Sequence, residues 1–238
     1  MDFSNFLQQS AERYGVMLTA GQLKAFHTYY ELLIEWDQKM NLTAITGPQE
    51  VAVKHMIDSL SCYDREVFKP DCSMIDVGTG AGFPGLPLKI MHPSFRLTLL
   101  DSLNKRVNFL QCVVRALGLN GVEVIHSRAE DGARQKLYRE LFDVAVSRAV
   151  ARLNILCELC LPFVKVGGYF VALKGAQYQQ EIDEAKNAIA LLGGRLERVQ
   201  AVKLPDIEDS RAVIYIKKVK PTINIYPRRP GLPEKNPL

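Results

Sequence analysis

The sequence predicts an α/β fold, with a mostly parallel, seven-stranded sheet, helices on both of its faces and an N-terminal helical extension. Short apolar segments typical of buried strands alternate with helical segments from about residue 73 onward. The first strand runs into a glycine-rich turn, and a short polar link at 205–210 joins the last two strands, which suits an antiparallel pair at one edge. We therefore expect a helical cap at 1–68, a sheet-bearing domain at 69–220 and a basic tail at 221–238.

Caps and breakers mark the limits of the helices. Gly15 ends the first helix, Thr19 caps the second, and Pro48 suits the start of a third. The predicted helices are about 3–14, 19–40, 48–61, 84–91, 104–117, 152–164 and 177–192, and the predicted strands about 73–77, 96–100, 122–126, 142–147, 169–173, 195–204 and 211–219.

Length and composition are those of an ordinary globular protein. The 238 residues, 47% of them hydrophobic, suffice for one α/β domain with a modest extension. No apolar run approaches the roughly 20 residues that span a bilayer, and the N-terminus lacks the pattern of a signal peptide. Five cysteines, an odd number, favour a reducing cytoplasm, and the run around Cys157 and Cys160 is typical of a core helix rather than a metal site. We expect a cytoplasmic monomer that binds neither a metal nor a membrane.

Two segments of the N-terminal region, 36–43 and 55–60, mix polar and apolar residues more densely than a plain amphipathic helix does. The favoured interpretation is structural. Asn41 and Thr43 would make local turn hydrogen bonds, His55 would be a satisfied histidine, and Asp58 would be a helix-surface acid. The region is more acidic than basic, so it is a poor site for phosphate.

The glycine-rich turn predicts a ligand site. Gly80, Gly82 and Gly85 follow strand 73–77 with the spacing of a dinucleotide-binding fingerprint, and glycine permits both positive φ and close approach of the backbone to a ligand. Asp76 lies near the end of the same strand, where burial of a carboxylate is costly unless donors bond to it. Asp101 ends the second strand, 19 residues beyond Gly82, where an acid accepts hydrogen bonds from a ribose. The pattern predicts a nucleoside-type cofactor, and both NAD and S-adenosylmethionine carry that ribose diol.

Asp76, Gly78, Gly80 and Gly82, followed by Asp101, resemble motifs I and II of class I S-adenosylmethionine-dependent methyltransferases. In that family the first acid organises the glycine loop near the methionine amino group, and NAD enzymes usually lack it. The resemblance therefore implies a Rossmann-like methyltransferase domain with S-adenosylmethionine as its cofactor. An acid near the cationic sulfonium is electrostatically favourable.

Ligands of open α/β sheets lie beyond the carboxyl ends of the strands, so residues just after each strand are candidates. Ala129 and Glu130, after the third strand, are placed to meet the adenine. Arg148, at the end of the fourth strand, would lie beside the glycine loop and hold a carboxylate of the cofactor or a phosphate of the substrate. The alternative is a solvated ion-pair network of Arg128, Glu130 and Arg148.

Motifs that the sequence lacks narrow the set of possible acceptor atoms. Strand four does not end in the Asn/Asp-Pro-Pro-aromatic pattern that marks many enzymes that methylate exocyclic amino groups. No cysteine follows strand four or five, where RNA cytosine-C5 enzymes keep their nucleophile. A ring nitrogen, a ribose hydroxyl, a carboxylate and a small-molecule heteroatom remain open. A small-molecule methyltransferase, an NAD-dependent oxidoreductase and an RNA-binding assembly factor are the competing function classes.

One family combines all the unusual segments of this chain. The segments Trp36–Ile45, His55–Leu60, Asp76–Gly85, Ser147–Ala149 and Tyr226–Pro233 together resemble the bacterial ribosomal RNA small-subunit methyltransferase G family, also called glucose-inhibited division protein B. The resemblance covers nearly the whole chain and implies methylation of N7 of a guanine in 16S ribosomal RNA, with the small ribosomal subunit as partner. Carried over by position, the cofactor contacts are Gly78, Phe83, Ala129, Glu130 and Arg148, with Asp101 on the ribose. The resemblance implies no proton-transferring residue, and Arg148 is the candidate for positioning.

The C-terminal stretch 217–238, which includes the tail, carries the whole positive excess of the chain, because it holds six basic side chains and one acidic one. Arg228 and Arg229 stand between prolines that keep the segment extended, which suits contact with RNA phosphates. The alternative is that these arginines pin the tail onto the acidic N-terminal helices.

Overall fold

The computed structural model of this chain describes residues 2–148 and 150–238. Ala149, the last residue of the predicted motif Ser147–Ala149, lies outside the described residues.

The N-terminal region begins with two capped helices, as predicted. Helix α1 spans Phe3–Tyr14, begins where the Asp2 carboxylate accepts a hydrogen bond from the Asn5 amide, and ends at Gly15, whose φ is 82°. Helix α2 spans Ala20–Met40 and begins with a capping box between Thr19 and Gln22. These caps satisfy backbone groups at the helix ends and so set where each helix begins.

The third helical segment covers the predicted range but is not a regular α-helix. Helix α3 spans Pro48–Val51, a π-helical stretch spans Ala52–Ile57, and α4 spans Asp58–Leu60. A π-helical stretch turns the following side chains away from the directions of an α-helix, and such stretches are frequent at functional sites. His55 and Asp58 are both buried here, so the interpretation of Asp58 as a helix-surface acid is wrong.

Seven strands form one sheet in the order β3-β2-β1-β4-β5-β7-β6. The first five strands are parallel, and β7 pairs antiparallel with both β5 and β6, which confirms the predicted fold and its closing pair. Strand order reverses between β1 and β4, and this is where an open α/β sheet binds its ligand. The strands are β1 Ser73–Val77, β2 Arg96–Asp101, β3 Val122–His126, β4 Phe142–Arg148, β5 Val164–Lys174, β6 Gly194–Val202 and β7 Arg211–Lys218; the helices are α5 Gly85–Met91, α6 Asn104–Ala116, α7 Ala129–Gly132, α8 Leu153–Cys160, α9 Tyr178–Leu191 and α10 Leu232–Lys235.

Strand β5 begins earlier than the sequence predicts. It starts at Val164, directly after the 3-10 turn Leu161–Phe163, and passes through Gly167 and Gly168. Gly167 has a φ of 92°, and a Cβ at Gly168 would collide with the Asp143 carbonyl of β4. The two glycines therefore permit an irregular, close pairing with β4 instead of ending the strand.

Alternate residues of the central strands pack into two hydrophobic cores. Met74 belongs to the core formed with α1, α2, α5 and α6, whereas Ile75 belongs to the core formed with α8 and α9. Cys157 and Cys160 are buried in the second core, as predicted. No helix within residues 2–148 or 150–238 is long and apolar enough to cross a membrane.

The C-terminal segment is anchored on the body of the protein. Arg228 donates to both carboxylate oxygens of Glu158 in α8, at 2.6–3.1 Å, and Glu158 is only 1% exposed. Gly231 donates its amide to Glu130 at 3.0 Å. Arg229 is exposed. The guanidinium of Arg228 is thus engaged by a protein carboxylate of α8, and not by the N-terminal helices of the alternative interpretation. Contact of Arg228 and Arg229 with RNA phosphates stays a prediction.

We predict that Arg228→Ala lowers the free energy of unfolding by about 3 kcal/mol or more, because it leaves the Glu158 carboxylate buried without its partner. The matched change Arg229→Ala removes an exposed charge and should alter stability by less than about 0.5 kcal/mol. Urea denaturation followed by the fluorescence of Trp36 measures both. Equal, small effects of the two changes would show that Arg228 does not anchor the tail.

Candidate active site

Asp76 in β1 holds the glycine loop, defined as Gly78–Gly85. Its Oδ2 accepts hydrogen bonds from the Thr79 hydroxyl at 2.7 Å and the Gly85 amide at 2.8 Å. A Cβ at position 85 would lie 2.8 Å from the same oxygen, so glycine is required there. Asp76 Oδ1 is buried and has no hydrogen-bond donor among the described residues. Burial raises the pKa of Asp76 to about 7, although the two hydrogen bonds and Arg148 oppose the shift.

Asp101, at the end of β2, bonds to the same loop. Its Oδ2 accepts a hydrogen bond from the Gly80 amide at 2.9 Å, and its Oδ1 accepts one from the Leu103 amide at 2.9 Å. Gly78 and Gly80 have φ values of 69° and 62°, which side chains other than glycine rarely adopt. The two acids that the sequence singles out therefore organise one loop from two neighbouring strands.

Two adjoining cavities run along this loop. The larger, of about 380 Å³, is lined by Gly78, Gly80, Phe83, Asp101 and Arg148 among others. The smaller, of about 120 Å³, is lined by Ala129 and Glu130 and shares Gly78, Ser102 and Val150 with the larger. We call the two together the cofactor crevice. It brings together seven of the predicted cofactor residues, whereas Asp76 and Gly82 are not among its lining residues.

The tail closes one end of the cofactor crevice. Gly231 and Pro233 line the smaller cavity, and the hydrogen bond from Gly231 to Glu130 joins the tail to α7. Glu130 is predicted to meet the adenine, and one of its carboxylate oxygens already accepts the hydrogen bond from the tail. The alternative of a solvated network with Arg128 does not hold, because Glu130 is 7% exposed and Arg148 bonds elsewhere.

Phe83 is held by aromatic and cationic groups from outside the loop. The rings of Tyr29 and His55 stack on it, with centroids at 5.3 Å and 4.6 Å. The Arg148 guanidinium lies 4.9 Å from its centroid. Tyr29 also lies against Gly82, where a Cβ would collide with its hydroxyl, so Gly82 allows α2 to approach the loop.

Arg148 lies beside the loop, as expected from the pairing of β1 with β4. Its Nη1 donates to Asp58 Oδ2 at 2.9 Å and to the Lys54 carbonyl at 3.0 Å, and its Nη2 is 3.2 Å from His55 Nδ1. These donors are directed at protein acceptors, and contact of Arg148 with a carboxylate or phosphate of a ligand stays a prediction. Arg148 therefore joins the sheet to the N-terminal helical region.

Asp58 is shared by two arginines. Its Oδ2 accepts the bond from Arg148, and its Oδ1 lies 3.2 Å from Nη1 of Arg211 at the start of β7. The carboxylate is 4% exposed, so both charges partly compensate its desolvation. The Nε of Arg211 is buried without a hydrogen-bond partner among the described residues.

His55 is a neutral, satisfied histidine, as predicted. Its Nε2 lies 2.8 Å from the Thr43 hydroxyl, and its Nδ1 faces Arg148. Burial, followed by the charge of Arg148, lowers the pKa of His55 to about 3. At neutral pH this side chain adds no charge to the site.

His55 and Arg148 also form part of the wall of a second cavity, of about 510 Å³, which we call the acceptor cavity. Its other walls come from the ends of β5 and β7 and from α9. Lys174 and Glu181 form an ion pair there at 2.6 Å, and Lys174 also donates to the Ala151 carbonyl at 2.8 Å. Sequence reasoning missed this cavity because its walls come from distant segments; the polar residues of 55–60 were the one signal present.

The chain was compared with known proteins. A family model described as rRNA small subunit methyltransferase G matches residues 22–213. A protein of Clostridium beijerinckii named ribosomal RNA small subunit methyltransferase G is 50% identical, and its namesake in Alkaliphilus metalliredigens is 48% identical, each over 100% of both chains.

Solved structures support the fold. An S-adenosylmethionine-dependent methyltransferase of Aquifex aeolicus matches with a TM-score of 0.51 and 20% identity, over 68% of this chain and 93% of the other. Geranyl diphosphate C-methyltransferase of Streptomyces coelicolor matches with a TM-score of 0.56 and 13% identity, over 80% and 98%. The sheet is thus that of class I methyltransferases. With full-length relatives at about half identity, the chain belongs to the rRNA small subunit methyltransferase G family of S-adenosylmethionine-dependent methyltransferases.

Proposed function

We propose that this protein methylates N7 of a specific guanine in 16S ribosomal RNA, within the small ribosomal subunit, as a cytoplasmic monomer. The observation that carries the proposal is the extent of the family match. It includes the π-helical stretch, the end of β5 and the first three residues of β7, all of which contribute to the lining of the acceptor cavity, as well as the glycine loop. Similarity confined to the cofactor half would have supported only methyl transfer to an unspecified acceptor.

The residues of the cofactor crevice fit S-adenosylmethionine. Asp101 would accept hydrogen bonds from the ribose hydroxyls, and the buried Asp76 carboxylate, directly behind the glycine loop, would attract the cationic ligand across the loop. Gly78, Gly80 and Phe83 would line the part of the crevice that the cofactor occupies, and Ala129 and Glu130 would meet the adenine.

Arg148 and Gly82 would act indirectly, by holding Phe83 and the loop in place. When bound, the cofactor would supply an electrophilic methyl group on a sulfonium for transfer to the lone pair of the acceptor.

The polar groups between the two cavities suit an acceptor without a proton. Guanine N7 has a free lone pair, so no general base is needed. His55 is neutral and engaged with Thr43, and the N–H groups of Arg148 point at protein acceptors, so neither competes for the N7 lone pair. What the protein supplies is alignment of the acceptor with the methyl group.

The direct test is to incubate the protein with S-adenosylmethionine carrying a labelled methyl group and with small subunits from a strain that lacks this enzyme. We expect one labelled guanine, identified by nuclease mapping and by cleavage chemistry specific for 7-methylguanine. Label at an exocyclic amine, a ribose or a protein would overturn the proposed acceptor.

We predict that Asp101→Ala weakens S-adenosylmethionine binding by about 1.5–3 kcal/mol, since charge-assisted hydrogen bonds to the ribose are lost. Asp101→Asn keeps an acceptor oxygen and should fall between Asp101→Ala and the wild type. Asp131→Ala, at a nearby exposed acid, is the control and should leave affinity unchanged. Calorimetry measures all three, and equal affinities would remove Asp101 from the cofactor site.

We predict that S-adenosylmethionine binding weakens roughly tenfold from pH 7 to pH 5.5 as Asp76 takes up a proton. The pKa of Asp76, raised to about 7 by burial, lies in this range, and a cationic ligand prefers the ionised carboxylate, so affinity rises with pH. Single-turnover methyl transfer at saturating cofactor should stay nearly flat, because the acceptor loses no proton. Asp76→Asn should abolish the pH dependence of calorimetric affinity; a wild-type slope that persists in this variant would assign it to another group.

A further inference from the structure

The acceptor cavity holds two hydrogen-bonding groups that the protein leaves incomplete. Four cationic side chains and two carboxylates line it: Lys54, Arg148, Lys174, Arg211, Asp58 and Glu181. Most are engaged by one another or by neighbours. Lys54 pairs with Glu50, Arg148 with Asp58, and Lys174 with Glu181.

Arg211 and Glu181 are engaged through only part of their polar groups. Arg211 gives Nη1 to Asp58, and its Nε is buried without an acceptor among the described residues, but the side chain is 25% exposed and lines the cavity, so a ligand can reach its guanidinium. Glu181 accepts from the Leu153 amide at 2.8 Å and from Lys174 at 2.6 Å, both through Oε2, which leaves Oε1 without a donor in the described part of the chain. A buried donor without an acceptor costs free energy unless a ligand completes it.

The two groups come from different segments of the cavity wall. Arg211 is tied to the N-terminal helical region through Asp58, whereas Glu181 projects from α9 and is tied to Lys174 at the end of β5. Leu173 and Val213, paired across β5 and β7, add apolar surface to the same wall. A flat ring with an acceptor on one edge and a donor on another fits this arrangement.

Guanine is such a ring. It carries the O6 acceptor and the 2-amino donor, and an arginine that bonds O6 alone leaves N7 free. An acceptor base must leave its stack to reach an enclosed site. Building on the proposed function, we propose that the acceptor guanine enters this cavity, where Arg211 donates to O6 and the Oε1 of Glu181 accepts from the 2-amino group. Adenine is rejected because its amino group would meet the Arg211 donors.

The test is a crossed comparison of base analogues and variants. Small subunits are reconstituted with guanosine, inosine or 2-aminopurine at the mapped position, and single-turnover methyl transfer is measured at saturating S-adenosylmethionine. Inosine lacks the 2-amino group and 2-aminopurine lacks O6, so each should slow the wild-type enzyme about tenfold or more. Glu181→Gln can turn an N–H donor toward the base, so this variant should methylate inosine as fast as guanosine. It should still methylate 2-aminopurine more slowly than guanosine. Arg211→Met should show the reverse pattern.

Several measurements separate recognition from stability. Asp209→Asn, an exposed acid close to Arg211 in sequence, is the control and should keep the wild-type rate within about twofold. Cofactor affinity should be preserved in each variant, whereas Arg211→Met should lower the melting temperature because Asp58 loses one of its two partners. Should Arg211→Met fail to fold, Arg211→Lys retains the charge toward Asp58 and takes its place.

Two failures are distinguishable. If the wild-type enzyme methylates no guanine in unmodified subunits, the proposed function and this inference both fail. Suppose instead that it methylates guanine in unmodified subunits. If each variant then slows transfer by the same factor on every base, or if the wild-type enzyme accepts both analogues at the guanosine rate, the acceptor cavity does not recognise the base. In that case only this inference is overturned.

Discussion

The site depends on one buried carboxylate, that of Asp58, placed between two arginines. Arg148 comes from the end of β4 and Arg211 from the start of β7, while Asp58 follows the π-helical stretch. The pairing therefore ties three distant segments to one point. A carboxylate that is 4% exposed is stable only with such partners, so the arrangement fixes the helical region against the carboxyl end of the sheet. Both cavities use Arg148 as a wall, so both inherit their shape from this cluster.

Most of the fold could be predicted from sequence because its signals are local. Thr19 and Gly15 mark helix limits by their own capping chemistry, and the glycine loop marks the end of β1. Errors arose where tertiary structure overrides local preference. The π-helical stretch leaves no pattern in the sequence. The pair Gly167–Gly168 suggested that β5 starts after it, but close pairing with β4 lets the strand run through both glycines.

The contrast between local signals and tertiary structure also separates the two halves of the site. The cofactor half lies on residues that directly follow their strands, so Asp101 and Ala129 could be placed from spacing alone. The acceptor cavity is lined by Asp58, Lys174, Glu181 and Arg211, which no motif connects. Arg228 shows that a recognisable motif can also hide a long-range partner. A basic pair between prolines suggests contact with phosphate, and only the structure reveals that Glu158, some seventy residues earlier, engages the first arginine.

The two halves also differ in charge, and this bears on turnover under the proposed function. Asp76 and Asp101 hold the loop of the cofactor crevice and favour a cationic ligand, whereas the acceptor cavity has four cationic side chains against two carboxylates and favours a nucleotide with its phosphate. Methyl transfer leaves the total charge of the complex unchanged but moves one positive charge from the sulfonium to the purine, toward the cationic walls. These charges therefore bind both substrates better than both products. Because Arg148 and His55 stand between the halves in a fixed, fully bonded arrangement, the site can favour release of methylated RNA without a residue that changes its protonation state.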